Sequence, residues 1–318
     1  MSKATKIWLI VAAVLIACGL ILFGAALVTQ GLDFAFLQGE PDELHSYSIT
    51  EPFESISIDV DTTDITFVVS EDGCRIECLE SRKLTHTASV REGTLYLQLE
   101  DGRQWYDYIS FFSRAPRVTV YLPRGEYDRL TADTDTGDLT IPADFTFQTI
   151  SLEGDTADIT CLAPAMQSLE LEVDTGDVLL KGQKAGKVSI SSSTGDITLA
   201  DSQVGRLELE TNTGRIRLEN VTCTSLEGES KTGDQHLQAV IATAELKLHS
   251  NTGDIRLNGC DAASLQITTS TGDVTGTLLT EKVFLTKTST GDIRVPQTTA
   301  GGRCEITTST GDITIRLP

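Results

Sequence analysis

The fold class predicted for this 318-residue chain is all-β: a single-stranded parallel β-solenoid, or β-helix, with coils of ~19 residues, preceded by one N-terminal transmembrane helix. Three observations predict the solenoid. First, a Thr-Gly-Asp-Ile/Val phrase recurs with its glycine position at Gly137, Ala157, Gly176, Gly195, Gly214, Gly233, Gly253, Gly272, Gly291 and Gly311, always 19 or 20 residues apart. A degenerate copy, Thr62-Thr63-Asp64-Ile65, lies 74 residues before the first. Second, apolar residues alternate with polar ones between the phrases, as in Leu169, Leu171, Val173 and Thr175, then Val178 and Leu180. That period of two is a strand signal. Third, the chain is 40% hydrophobic but only 6% aromatic, which suits a thin core of Leu, Ile and Val. Coils stacked ~4.8 Å apart would make a rod roughly 48 Å long. Parallel crossovers predict right-handed winding.

Taken in chain order, residues 1–6 are expected to be a cytoplasmic N-terminus and 7–28 a transmembrane anchor. Ile7 to Val28 carries no charge and is long enough to cross a bilayer core. Lys3 and Lys6 precede it and Asp33, Glu40, Asp42 and Glu43 follow, so the positive-inside rule places the repeats outside the cell. Two alternatives stay open: a lipoprotein signal, because Leu15-Ile16-Ala17-Cys18 resembles a cleavage box, and simple cleavage of a signal peptide. Residues 29–45 read as a linker.

Residues 46–123 read as an N-terminal β region and cap, with strands at Ser55–Val60, Ile65–Val69, Arg75–Leu79, Thr94–Leu99 and Val118–Leu122. Within it Trp105, Tyr106, Tyr108, Phe111 and Phe112 gather five of the chain's eighteen aromatics. They are expected either to cover the end of the core or to present a surface for a partner protein, a glycan or a membrane interface. Residues 124–318 are the regular repeats. Their C-terminal end, Ile313 to Pro318, is expected to be the open end, with Arg316 and Pro318 protecting the edge.

At each corner the glycine is expected to take positive φ. Ala157 and Thr63 fit that reading poorly. The aspartate that follows the glycine (Asp138, Asp158, Asp177, Asp196, Asp234, Asp254, Asp273, Asp292, Asp312) is expected to accept backbone N–H groups at its own bend. A column of such carboxylates, Asp254, Asp273 and Asp292 among them, is also a candidate calcium site. Against that, the glycine-rich calcium loop of β-rolls is missing and Arg215 interrupts the column. The Thr pairs Thr134/Thr136, Thr211/Thr213, Thr269/Thr271, Thr288/Thr290 and Thr308/Thr310 share parity with the leucines, so they are expected to face inward rather than form an ice-binding plane.

The net charge of −21 excludes a nucleic-acid partner, which needs a basic stripe. No nucleophile elbow, zinc-protease helix, phosphate loop or dinucleotide fingerprint is present. The histidines His45, His86, His236 and His249 are scattered, and none adjoins a cysteine cluster in sequence. No metal centre, cofactor or catalytic residue is therefore assigned. The seven cysteines occupy unrelated offsets and read as buried free thiols.

The ordered set FESISIDVDTTDITFV (Phe53–Val68), WYDYISFF (Trp105–Phe112), VTVYLP (Val118–Pro123) and the serial TGDI/TGDV corners resembles the adhesin-like family of β-strand-repeat proteins known as domain of unknown function 4097. The resemblance spans roughly Ser46 to Pro318 and implies a β-solenoid on a bacterial surface, with no catalytic or ligand residues to carry over. The expected function is a non-catalytic, membrane-anchored, cell-surface module for adhesion, envelope interaction or sensing, bound to an unknown surface protein or glycan. The alternatives are a cation-binding or structural envelope protein and, third, a carbohydrate-active β-helix enzyme.

Overall fold

The computed structural model describes residues 3–29, 43–81, 83–102 and 116–318. The N-terminal apolar run does form a helix, α1 (Lys3–Thr29). The expectation that it crosses a membrane is corrected: among the described residues no helix is long and apolar enough to do so.

The solenoid forms as the alternation predicts. Strands of successive coils pair in parallel at the repeat interval: Leu171 lies between Leu152 and Ile190, and Val178 between Ile159 and Ile197. Leu169, Leu171, Val173, Val178 and Leu180 are all buried, as are Leu265, Ile267 and Val274 in the third coil from the other end of the rod. The backbone ladder continues through the corners. The Gly176 N–H donates to the Thr194 carbonyl and the Val178 N–H to the Asp196 carbonyl, both at 2.9 Å. Only the first member of each Thr pair faces the core: Thr134, Thr211, Thr269 and Thr308 are buried, whereas Thr136, Thr213, Thr271 and Thr310 are exposed. The bend beginning at the second threonine breaks the parity.

Two corner columns shape each coil. At the Thr-Gly-Asp corner the glycines take φ between +138° and +155°, and a Cβ on Gly233 would overlap the Gly214 carbonyl of the coil below. Ala157 and Thr63 occupy the same position without positive φ, which is how the corner tolerates them. A second corner, six residues further on, places Gly182, Asp201, Asn220, Ala239 and Gly259 in left-handed conformation. Asp and Asn enter that region more readily than Ala because their short side chains bond locally.

The N-terminal end is built from β1 (Glu43–Ile49), β2 (Ser55–Thr62), β3 (Asp64–Val69), β4 (Cys74–Glu80), β5 (Leu84–Arg91), β6 (Thr94–Asp101) and β7 (Arg117–Leu122). β2 and β3 form a coil of the repeat type, stacked on β8 (Gly125–Thr136) and β9 (Leu139–Ile141). β6 and β7 form the next layer outward, parallel to β2 and β3. Beyond it the chain runs antiparallel: β5 on β6, β4 on β7 and β1 on β4. The antiparallel strands cover what would otherwise be an open parallel edge.

At the other end the expectation is overturned. The last coil in sequence is not the last in space: Gly302–Thr310 pairs on one side with Ile255–Thr271 and on the other with Lys282–Thr290. Ile313 and Ile315 are consequently buried, and the open edge belongs to Lys282–Thr290 and Ile293–Arg294. Cys304, Ile306, Thr308, Ile313 and Ile315 fill an interior layer, whereas at the end Phe284, Thr286 and Thr288 are half-buried and Ile293 is exposed. Lys287 and Arg294 then sit where charge discourages edge-to-edge pairing.

Candidate functional site

The corner aspartates bond between coils rather than within their own bends. Asp254 Oδ1 accepts the Asp273 N–H at 2.9 Å, Asp273 Oδ1 accepts the Asp312 N–H at 2.7 Å, and Asp312 Oδ1 accepts the Asp292 N–H at 2.8 Å. The column therefore follows the exchanged coil order. Arg215 does interrupt the column: its own N–H donates to Asp196 Oδ1 at 2.7 Å, but its side chain offers no carboxylate to the Asp234 N–H of the next coil. The second oxygens of Asp254 and Asp292 meet Arg256 and Arg294 at 2.9 and 2.6 Å.

A second acidic column runs along the outer face in register: Asp59, Asp133, Glu153, Glu172, Ser191, Glu210, Glu229 and His249. Burial, then the Asp59 and Asp155 carboxylates, push the Asp133 carboxyl above its usual range. Asp135 is pushed the same way by burial, then by Asp61, Asp155, Asp133 and Asp59. Further along, Glu227, Glu229, Lys247, His249, Gln266 and Thr268 line an open depression. The aromatic candidates Trp105, Tyr106, Tyr108, Phe111 and Phe112 lie outside the described residues. Their place in the chain is between β6 and β7, where other coils turn through one or two corner residues.

The densest chemistry is inside the N-terminal cap, at residues no sequence motif had joined. Alternation along β4 points Cys78 and Glu80 the same way, and both are buried. β5 brings buried His86 against them: its Nδ1 lies 2.5 Å from Glu80 Oε2, and its backbone N–H donates to that same oxygen at 2.7 Å. From β1, His45 sets Nδ1 2.6 Å from Glu80 Oε1 with its side chain 41% exposed. His86 Nε2 is 3.2 Å from the hydroxyl of Thr63, the buried residue at the degenerate corner, and the Tyr47 hydroxyl donates to the His86 carbonyl at 2.5 Å. One ligand atom each from Cys78, Glu80 and His86 falls within 4.8 Å of the others. The scattered histidines are thus corrected: two of the four meet Glu80, and one of these, His86, also meets a cysteine. The only signal in the sequence was Cys-x-Glu with His86 six residues on, too sparse to stand out.

The remaining cysteines are free. Burial pushes Cys161 and Cys304 up to about 12 and Cys223 to about 11, so these thiols stay protonated at neutral pH. Cys78 is also pushed up to about 12, by burial and then by the Glu80 carboxylate.

A family model described as Toastrack DUF4097 matches residues 53–239 and 202–318. No curated protein matches. Among solved structures, a candidate adhesin from Bacteroides fragilis is 15% identical, with 88% of this chain and 99% of that chain covered at a TM-score of 0.45. A protein described as a candidate lipid-binding protein, from Parabacteroides distasonis, is 13% identical over 87% and 97% at 0.48. A candidate adhesin from Parabacteroides merdae is 13% identical over 86% and 96% at 0.42. Likeness at that level carries no argument about what this chain binds.

Proposed function

Because the chain belongs to the Toastrack DUF4097 family, we propose that it is a non-catalytic interaction module of the cell surface, adhesin-like or envelope-sensing, which engages a partner through the outside of its solenoid. The observation that carries the reading is the register of the coils between Gly125 and Leu278. No turn between their strands is longer than five residues, so outer residues stack into continuous columns instead of walling a cleft. Catalysis needs groups converging on one point, whereas these columns spread one chemistry along a line. That supports binding to an extended partner, whether a surface protein or a glycan. The carboxylates along Asp59–Glu229 favour one that carries basic groups.

The aromatics inserted between β6 and β7 are proposed as the apolar part of the partner surface. The alternative of a cation-binding or structural envelope protein rests on the same acidic columns.

Protease applied to intact cells should cleave the repeats if they are displayed outside. The purified chain should retain envelope polysaccharides or surface proteins in a salt-sensitive manner, and joint replacement of Trp105 and Phe111 by alanine should weaken that retention. Protection of the repeats in intact cells would overturn the location, and turnover of a glycan would overturn the non-catalytic reading.

A further inference from the structure

We propose that Cys78, Glu80 and His86 are the three buried ligands of a transition-metal site of the zinc class, with His45 as the fourth ligand at its mouth. The inference is independent of the partner-binding role. Thiolate, imidazole and carboxylate are the donors that zinc takes in proteins. In a tetrahedral site with bonds of 2.0–2.3 Å, ligand atoms stand about 3.3–3.8 Å apart. The three buried donors already lie within 4.8 Å of one another, so rotamer adjustments of about an ångström would close them on one ion.

The far side of the His86 ring can support the tautomer that a metal requires. With the metal on His86 Nδ1, the ring proton must sit on Nε2, where the Thr63 oxygen at 3.2 Å accepts it. Fixing the far nitrogen of a metal-bound histidine in this way is the usual outer support of such sites. The His86 N–H holds Glu80 Oε2 in place at 2.7 Å. His45, reaching Glu80 Oε1 from β1 and partly open to solvent, gives the ion a route in. Binding also balances in protons. The proton of each bound imidazole moves from Nδ1 to Nε2, and one proton leaves the Cys78 thiol for solvent.

The opposing reading is a hydrogen-bonded His–Glu–His group that only neutralises a buried carboxylate, and cobalt(II) distinguishes the two. Full-length chain stripped with chelator should take up one equivalent of cobalt(II). It should show the near-ultraviolet sulfur-to-cobalt charge-transfer band and tetrahedral visible bands, and zinc should displace the cobalt. Cys78→Ser, a near-isosteric change, should abolish the sulfur band. His45→Gln should keep that band while weakening binding. Thr63→Val, which touches no metal, should weaken binding 10- to 100-fold. Zinc at 100 times its dissociation constant should also raise the melting temperature of the wild type. If Cys78→Ser fails to fold, the wild-type spectrum and the Thr63→Val titration decide the matter. Absence of stoichiometric uptake, or uptake without a sulfur band, would overturn the site.

Discussion

Gln235 occupies the space that Gly228 leaves empty inside the same coil. Gly228 interrupts a column that reads Leu209 on one side and Leu248 on the other, and Gln235 interrupts one that reads Ile216 and Ile255. The Gln235 Nε2 donates to the His249 carbonyl at 2.6 Å, while a Cβ added to Gly228 would lie 3.2 Å from its Oε1. That Oε1 has no hydrogen-bond partner among the described residues. Gly228→Leu alone should therefore overpack the coil, at ~1–3 kcal/mol. Gln235→Ile alone should leave a void beside the glycine. The double variant restores both apolar columns, and chemical denaturation should show it more stable than the singles predict, with a coupling of ~1 kcal/mol or more. Additive effects would mean that the two positions are packed independently.

The inward face can be tested at adjacent residues. Leu171 is 1% exposed, whereas Glu172 points outward between Glu153 and Ser191. Leu171→Asp buries an unpaired carboxylate and should cost several kcal/mol or prevent folding. Glu172→Lys should be neutral or slightly stabilising, since it breaks a run of like charge. Similar thermal shifts for both would contradict the packing.

Both corners favour glycine, but only the first has no room for a side chain. Gly233→Val places a side chain into the Gly214 backbone and forces positive φ on a branched residue. It should be severe, although the loss should stay near that coil, because coils couple chiefly to their neighbours. Ala239, exposed at φ +52°, should gain from replacement by glycine: relief of ~1–2 kcal/mol against an entropic cost of ~0.5–1 kcal/mol. A lower melting temperature for Ala239→Gly would argue against the left-handed corner.

Replacing Asp254, Asp273 and Asp292 by asparagine should be tolerated, because the amide oxygen can accept the same inter-coil N–H. If the column bound calcium instead, millimolar calcium would raise the wild-type melting temperature and the triple variant would lose most of that rise. We expect tolerance and no calcium-dependent shift.

The outer acidic column should respond to pH. The carboxyls of Asp133 and Asp135 are raised in the folded chain, so ionisation costs the folded state more than the unfolded one. This cost is fully present above the folded pKa values and fades as pH falls through them toward ~3.9, the unfolded value. Asp133→Asn should therefore raise the melting temperature at pH 7 and lose that advantage near pH 3.5. An equal gain at both would exclude repulsion as its cause.

The serial Thr-Gly-Asp phrase and the alternation around Leu169–Leu180 determined the solenoid, its parity and its corners, because a one-dimensional repeat asks only for contacts at a fixed sequence interval. The N-terminal strands Ser55–Val60 and Val118–Leu122 were legible for the same reason. The partner of each corner aspartate was not, since whether a carboxylate bonds its own bend or the next depends on how closely coils stack. Nor was the exchange that buries Ile313 and Ile315 beneath the coil of Lys282–Arg294, which compares the exposure of two whole coils. The cap cluster was least visible of all. His45, Cys78, Glu80 and His86 are brought together by antiparallel pairings between strands that carry no repeat, and a sequence does not record which of its non-periodic strands will be neighbours. Local periodicity is written along the chain; convergence of side chains from separate strands exists only once backbone pairing and burial have chosen a register.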